Sequence, residues 1–248
     1  MRSWAESMKT STRRVIGRGV GAERIVALIP AGGIGTRVGS RTPKQFLALG
    51  GGSILAATVR HFARHPGVGA IVVAVPAAHV DRARRALRGL PRGAAITVVS
   101  GGQTRQESVW LALQAAPVGA EIVLVHDAVR PFITRALIDA VVDAARGGGA
   151  AICALPIAET VKRVRGDEVE ATVDRAGLWT VQTPQAFGAD LLREAHDNAR
   201  RDGVVSTDDA ALVERLGHHP VKVVRGLEGN LKITTPADLR RARRMECR

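Results

Sequence analysis

The sequence predicts an α/β protein whose mainly parallel sheet is covered by helices on both faces and carries a projecting β-arm. From residue 25 onward, short β-branched runs alternate with longer stretches of helical periodicity, the signature of βα units. These runs are apolar at successive positions, as a sheet buried on both faces requires. After Pro156 the pattern breaks, and alternating polar and apolar residues around Gly166-Asp167 read as two exposed strands.

The strand runs fall at 25–29, 70–75, 96–99, 122–125, 150–155 and 221–224. Between them, apolar residues recur at three- and four-residue spacing over 53–64, 78–88, 104–115 and 134–146, with Ser53 and Thr134 as N-caps of the first and last. The arm covers about 157–180, and an arm standing off a compact body needs something to pack on. The expected partner is a second copy, giving a homodimer. Helical spacing returns at 189–201 and 207–216. The final helix has a defined start, with Thr235 as N-cap, Pro236 in the first position and Asp238 reaching back.

At 248 residues, 46% hydrophobic and 24% charged, the chain suits one soluble domain, expected over 25–248. No apolar run approaches the roughly 20 residues of a membrane helix. The two cysteines, Cys153 and Cys247, have no metal-ligand spacing and read as free thiols in a reducing compartment, the cytoplasm. Of the net charge of +13, the first 24 residues and the last 12 supply seven units. The remaining +6 suits phosphorylated small substrates. With 3% aromatics and no Tyr, a stacking platform for nucleic acid is not expected. Residues 1–24 lack a secretory apolar core and are rich in Arg, Ser and Thr; a plastid-type transit peptide and a true start at Met8 or later are the two readings of this extension.

The segment Pro30-Ala31-Gly32-Gly33-Ile34-Gly35-Thr36-Arg37 follows a buried strand, where glycines let the backbone approach a phosphate and its N–H groups bind the oxygens. A P-loop would need Gly-Lys-Ser/Thr, which is absent. A dinucleotide site would need a glycine at Val38 and an acid after the second strand, which ends at Val75-Pro76. Arg37, and Lys44 behind the stiffening Pro43, place two cations beside whatever anion the loop holds. The loop resembles the start of the sugar-nucleotide pyrophosphorylase-like nucleotidyltransferases, Pro-Ala-Ala-Gly-x-Gly-x-Arg continuing to Pro-Lys-Gln.

From about residue 25 to 240 the chain further resembles one branch of that group, the 2-C-methyl-D-erythritol 4-phosphate cytidylyltransferases of the non-mevalonate isoprenoid pathway. The matching segments are Gly101-Gly102 through Arg105 to Ser108-Val109, Val125-His126-Asp127-Ala128-Val129-Arg130-Pro131, Thr172-Val173-Asp174-Arg175 with Gly177-Leu178-Trp179, Thr183-Pro184-Gln185, Thr207-Asp208-Asp209-Ala210 and Asn230-Leu231-Lys232-Ile233-Thr234. Two positions depart from the family pattern: Gly32 stands for the usual second alanine, and Thr36 for a frequent arginine, which puts more weight on Arg37.

The resemblance implies a Rossmann-like fold of the nucleotide-diphospho-sugar transferase type, and attack of a phosphate monoester oxygen on the α-phosphorus of CTP. Both reactants are anions, so positioning and charge neutralisation should dominate, and the charged nucleophile needs no general base. By resemblance, Arg37, Lys44 and Lys232 are the catalytic cations. Ala31, Gly32, Gly33, Gly35 and Ala128 hold the nucleotide, Gly102 and Ser108 read cytosine, and Asp127 binds Mg2+. Thr160, Arg175, Thr183 and Thr207 bind the polyol phosphate, with Thr160 and Arg175 on the arm. His126 reads as structural, Arg130 as either a phosphate contact or an ion-pair partner, and Ser108 equally as a residue bonding its own helix backbone. The rival readings are a ribitol 5-phosphate cytidylyltransferase and, in another class, a non-enzymatic nucleic-acid binder using the basic tails.

Overall fold

The structure is a computed structural model describing residues 25–32, 42–91 and 93–246; Gly33, Gly35, Arg37, Cys247 and the N-terminal extension lie outside these residues. Strand β1 (Ile25–Pro30) leads to a 3₁₀ turn at Lys44–Phe46 and to the two-residue strands β2 (Ala48–Leu49) and β3 (Gly52–Ser53). Then come α1 (Ile54–Ala63), β4 (Val68–Val75), α2 (Val80–Ala86), β5 (Ala95–Ser100), α3 (Arg105–Gln114), β6 (Ile122–Val125), α4 (Arg135–Arg146) and β7 (Ala150–Pro156). The arm is β8 (Val161–Arg165) and β9 (Glu168–Val173). β10 (Trp179–Gly188), α5 (Ala189–Arg201), α6 (Ala210–Glu214), β11 (Val221–Arg225) and α7 (Pro236–Glu246) complete the order.

Seven strands form one sheet in the order β11-β7-β10-β6-β1-β4-β5. All neighbours are parallel except β10, which runs antiparallel to both β6 and β7. Alternate residues of β1 feed opposite faces, as the two-residue strand period dictates. Ala27 and Ile29 pack with Leu55, Phe62, Ile138 and Val141 of α1 and α4. Val26 and Leu28 pack with Val109 and Leu113 of α3 and Leu192 of α5. A smaller cluster joins Leu49, Ile54, Val129, Ile233 and Leu239, fastening the start of α7 beside the end of the sheet.

Ser53 and Thr134 cap α1 and α4 as the sequence predicts, each accepting the backbone N–H three residues on. Thr235 and Asp238 close the reciprocal cap of α7: Asp238 N–H donates to Thr235 Oγ1 at 3.1 Å and Thr235 N–H to Asp238 Oδ2 at 2.8 Å. Three expectations need correction. The arm's paired strands end at Val173, and residues 179–180, read as part of the arm, already belong to β10 in the main sheet. β10 has no counterpart among the expected strands, and Pro184 is a residue that a central strand normally excludes. The ladder accommodates it with an irregularity against β7 between Gln182 and Gln185, so Pro184 needs no N–H there. The patterns over 207–216 and 78–88 shrink to the short α6 and α2, each one to two turns long.

Candidate active site

β1, β4 and β6 are parallel, so their carboxyl ends lie at one edge, where open α/β sheets bind ligands. The loops leaving that edge are tied to it. Ala31 N–H donates to Ala74 O at 2.7 Å, Gly101 N–H to Val75 O at 2.7 Å, and His126 N–H to Leu28 O at 2.9 Å. Between them lies a cleft of about 310 Å³, lined by Ala31, Gly32, Lys44, Gln45, Gly102, Arg105, Asp127, Ala128 and Lys232 among others. A second cleft of about 290 Å³ is lined by Arg130, Gln182, Thr183, Gln185, Thr207 and Asp208. It shares Arg105, Asp127 and Lys232 with the first. Two clefts thus meet over one carboxylate and two cations.

Asp127 sits just past β6 with its side chain 10% exposed. Its Oδ1 accepts from Arg105 Nε at 3.3 Å, and its Oδ2 pairs with Lys232 Nζ at 2.8 Å and faces Arg130 Nε at 3.6 Å. Burial alone would raise its pKa, but the Arg105 and Lys232 charges, with Arg130 behind them, hold the carboxyl well below the usual carboxylate range. Of the two roles open to Arg130 in the sequence, the structure shows the ion pair. Its Nη1 donates to Asn230 O at 2.8 Å, and Asn230 Nδ2 donates to Thr183 O at 2.8 Å. With Ile233 N–H donating to Val129 O at 2.9 Å, these bonds fix the backbone on both sides of Lys232.

Lys44 opens the 3₁₀ turn preset by Pro43. The neighbouring Gln45 is buried and donates to Ala31 O at 2.7 Å, locking the turn against the glycine-rich loop. Ser108 lies below the cleft, where its hydroxyl donates to Thr104 O at 2.9 Å and accepts from Gly102 N–H at 3.2 Å. It therefore shapes the Gly102–Thr104 turn, the local-bonding role left open by the sequence. A Cβ at Gly32 would come within 3.4 Å of Ser108 Oγ, an ordinary contact distance, so the family's usual alanine fits.

Thr183 and Thr207 line the second cleft. Thr160 and Arg175 are exposed at the base of the arm and line neither cleft of this chain; Arg175 Nη1 donates instead to Ala158 O. Behind Thr183, His126 is fully buried, and burial lowers its pKa to about 4. Its Nε2 faces Arg130 O at 3.0 Å and must carry the proton, so Nδ1, 3.1 Å from Thr183 Oγ1, accepts the threonine hydroxyl. Thr183 Oγ1 also accepts Asp127 N–H at 3.0 Å. Only a lone pair of Thr183 is left for the cleft.

The depressed His126 pKa has a consequence for stability. Between about 6.5 and about 4 the unfolded chain binds a proton that the folded chain refuses, so stability is full above that window and falls as pH drops through it. The loss is about 3 kcal/mol on complete titration. Urea unfolding of the wild type and of His126→Asn at pH 7 and pH 4.5 checks this: the variant should lose less on acidification. Equal losses would remove His126 as the source.

Arg105, Asp209, Gln185 and Asn230 belong to this network and were not assigned roles from the sequence. Arg105 Nη1 donates to the buried Asp209 Oδ2 at 2.7 Å, and burial, which opposes its charge, is outweighed by Asp209 and Asp127, which raise its pKa. One signal was present: an arginine in the first turn of a helix faces an unfavourable helix dipole and calls for a nearby acid.

A family model for 2-C-methyl-D-erythritol 4-phosphate cytidylyltransferase matches residues 25–245. The chain belongs to that family. The cytidylyltransferase of Symbiobacterium thermophilum is 47% identical over 219 residues, covering 88% of this chain and 91% of that one. That of Salinibacter ruber is 45% identical, covering 86% and 89%. Among solved structures, 4-diphosphocytidyl-2C-methyl-D-erythritol synthase from Anaerococcus prevotii superposes with a TM-score of 0.80 at 30% identity, covering 92% of this chain and all of that one. The Thermus thermophilus cytidylyltransferase gives 0.75 at 39% identity, covering 90% and 98%.

The resemblance implies magnesium at Asp127, and the donors around that carboxylate limit how the ion could be held. Among the described residues no three His, Cys, Asp or Glu side chains converge on a metal position. Asp127 is the one carboxylate among the described residues lining the first cleft. A single ionised carboxylate beside a glycine-rich loop fits Mg2+, which keeps waters and takes phosphate oxygens, rather than a cation caged by protein alone.

Proposed function

We infer that this cytidylyltransferase transfers CMP from CTP to 2-C-methyl-D-erythritol 4-phosphate, giving 4-diphosphocytidyl-2-C-methyl-D-erythritol and pyrophosphate in isoprenoid precursor biosynthesis. The observation that carries the reading is the junction: Asp127, Lys232 and Arg105 line both the glycine-rich cleft and the Thr183 cleft. A group-transfer enzyme needs such a place, where two anionic reactants meet.

In this reading the triphosphate lies against Ala31 and Gly32 with Lys44 beside it, and Gly33, Gly35 and Arg37 complete the loop. Cytosine lies toward Gly102, in the turn that Ser108 holds, and Ala128 forms the floor. The acceptor occupies the second cleft against Thr207 and Thr183. Thr183 offers an oxygen lone pair, which suits a polyol hydroxyl as donor. An oxygen of the acceptor's phosphate attacks the α-phosphorus, the bond to the bridging oxygen breaks, and pyrophosphate leaves with the electron pair. Lys232 leaves Asp127 for the α-phosphate, where the charge develops. Asp127 would hold Mg2+ together with phosphate oxygens and waters, supplying further neutralisation of the triphosphate. The arm belongs to the same reading. β8 and β9 are exposed over nearly all their length, including Val164 and Val169, and an isolated hairpin is marginal in water. A second copy seated on it would form a homodimer and bring Thr160 and Arg175 to the partner's acceptor cleft. In the same reading the enzyme works in the cytoplasm; Cys153, a buried free thiol whose pKa burial pushes up to about 12, takes no part in the reaction.

Incubation with CTP, Mg2+ and one acceptor at a time tests the reading. Pyrophosphate should appear with 2-C-methyl-D-erythritol 4-phosphate; release only with ribitol 5-phosphate would overturn the acceptor, and release with neither would overturn the activity.

A further inference from the structure

Of the three side chains shared by the two clefts, Lys232 and Arg105 are held in opposite ways. Lys232 is 43% exposed at its side chain and carries a compact ammonium on a flexible stem, so it can exchange Asp127 Oδ2 for a phosphate oxygen. Arg105 is anchored at its other end. Asp209, 1% exposed, takes Arg105 Nη1 on Oδ2 at 2.7 Å and His196 Nε2 on Oδ1 at 3.1 Å. The Asp209 backbone N–H donates to Gln185 Oε1 at 3.2 Å, and Gln185 Nε2 donates to Asp208 Oδ2 at 2.9 Å. His196 on α5 is itself fully buried, so Asp209 has no room to follow a moving partner.

We propose that Arg105 is a positioning residue of the reaction: pinned by Asp209, it keeps hold of Asp127 Oδ1 when Lys232 releases Oδ2, so that the carboxylate has one fixed oxygen and one exchangeable oxygen. The proposal rests on the two clefts being the nucleotide and acceptor sites. Its physical basis is geometric, because a planar guanidinium bonds two carboxylates with two different nitrogens, which a lysine ammonium at the end of a rotating stem does not reproduce. Without the tether, Asp127 freed from Lys232 would rotate onto Arg130 Nε, already 3.6 Å from Oδ2, and its free oxygen would turn from the cleft.

Arg105→Lys and Asp209→Asn, singly and together, test this. Asp209 lines neither cleft, so any kinetic effect of its substitution must pass through Arg105 or His196. Each single variant is expected to lower kcat and raise the half-saturating magnesium concentration about 10–100-fold, the usual cost of losing a group that orients a metal-binding carboxylate. Calorimetric titration with magnesium–CTP should show the weakening without turnover, and KM for the acceptor should move far less than kcat. The double variant should be no worse than the worse single, because both substitutions cut one tether. The proposal is overturned if the folded variants keep kcat, magnesium requirement and magnesium–CTP affinity within about twofold of wild type, or if the two effects add. Arg105 is 28% exposed at a helix start, so Arg105→Lys decides the matter if Asp209→Asn does not fold. Asp127→Asn is the control for the underlying reading: full turnover there would refute the site itself, whereas an inactive Asp127→Asn with an unaffected Arg105→Lys would refute only the tether.

Discussion

Lys232→Ala is expected to lower turnover about 10²–10³-fold, the magnitude lost with one preorganised electrostatic group, while the protein stays folded. The side chain is 43% exposed, and the apolar cluster that fastens α7 is built on its neighbour Ile233, fully buried. Its backbone is set by Asn230, Arg130 and Val129, none of which requires the ammonium. The loss should therefore fall on kcat, with only a small drop in thermal melt, since Asp127 keeps Arg105 and Arg130 when the Lys232 pair is lost. Turnover within a fewfold of wild type would take Lys232 out of the chemistry.

Asp127→Asn should do more damage, and of two kinds. Chemically, it removes the one carboxylate among the described residues of the first cleft. Structurally, it leaves Arg105, Lys232 and Arg130 crowded around an uncharged amide, and unpairing a buried charge costs about 3–5 kcal/mol. We expect turnover to fall by more than about 10³-fold, a loss beyond that of one electrostatic donor, together with a clear drop in melting temperature. Metal-free CTP should bind the variant more tightly than it binds the wild type, because the cations have lost their internal counter-ion. Weaker metal-free binding would contradict this electrostatic account.

The sheet was legible in the sequence because its strands are short, apolar on both faces and separated by well-capped helices, as at Ser53 and Thr134. β10 was hidden because a strand enclosed between two others normally excludes proline, and the irregularity that admits Pro184 is a tertiary arrangement with no local signature. The same limit applied to the site. Asp127, Lys44 and Lys232 stand out as hydrophilic residues in otherwise apolar or stiffened segments. Arg105 and Asp209 do not, since their meaning lies in a contact across 104 residues of chain. Ser108 and His126 show how a polar residue near a site can serve its architecture: both have their hydrogen committed to protein before any ligand arrives.

If the cleft holds the triphosphate as proposed, the 2.8 Å pair between Lys232 and Asp127 makes it a closed ion exchanger. In that reading Asp127 stands in for a substrate phosphate on the ammonium, and the nucleotide would compete with the protein's own anion. Small free anions such as chloride gain little from displacing it, whereas a polyphosphate arriving with its counter-cation replaces both partners at once. On this view the selectivity of a basic chain for metal-bound triphosphate over the many smaller anions around it begins with that internal pair.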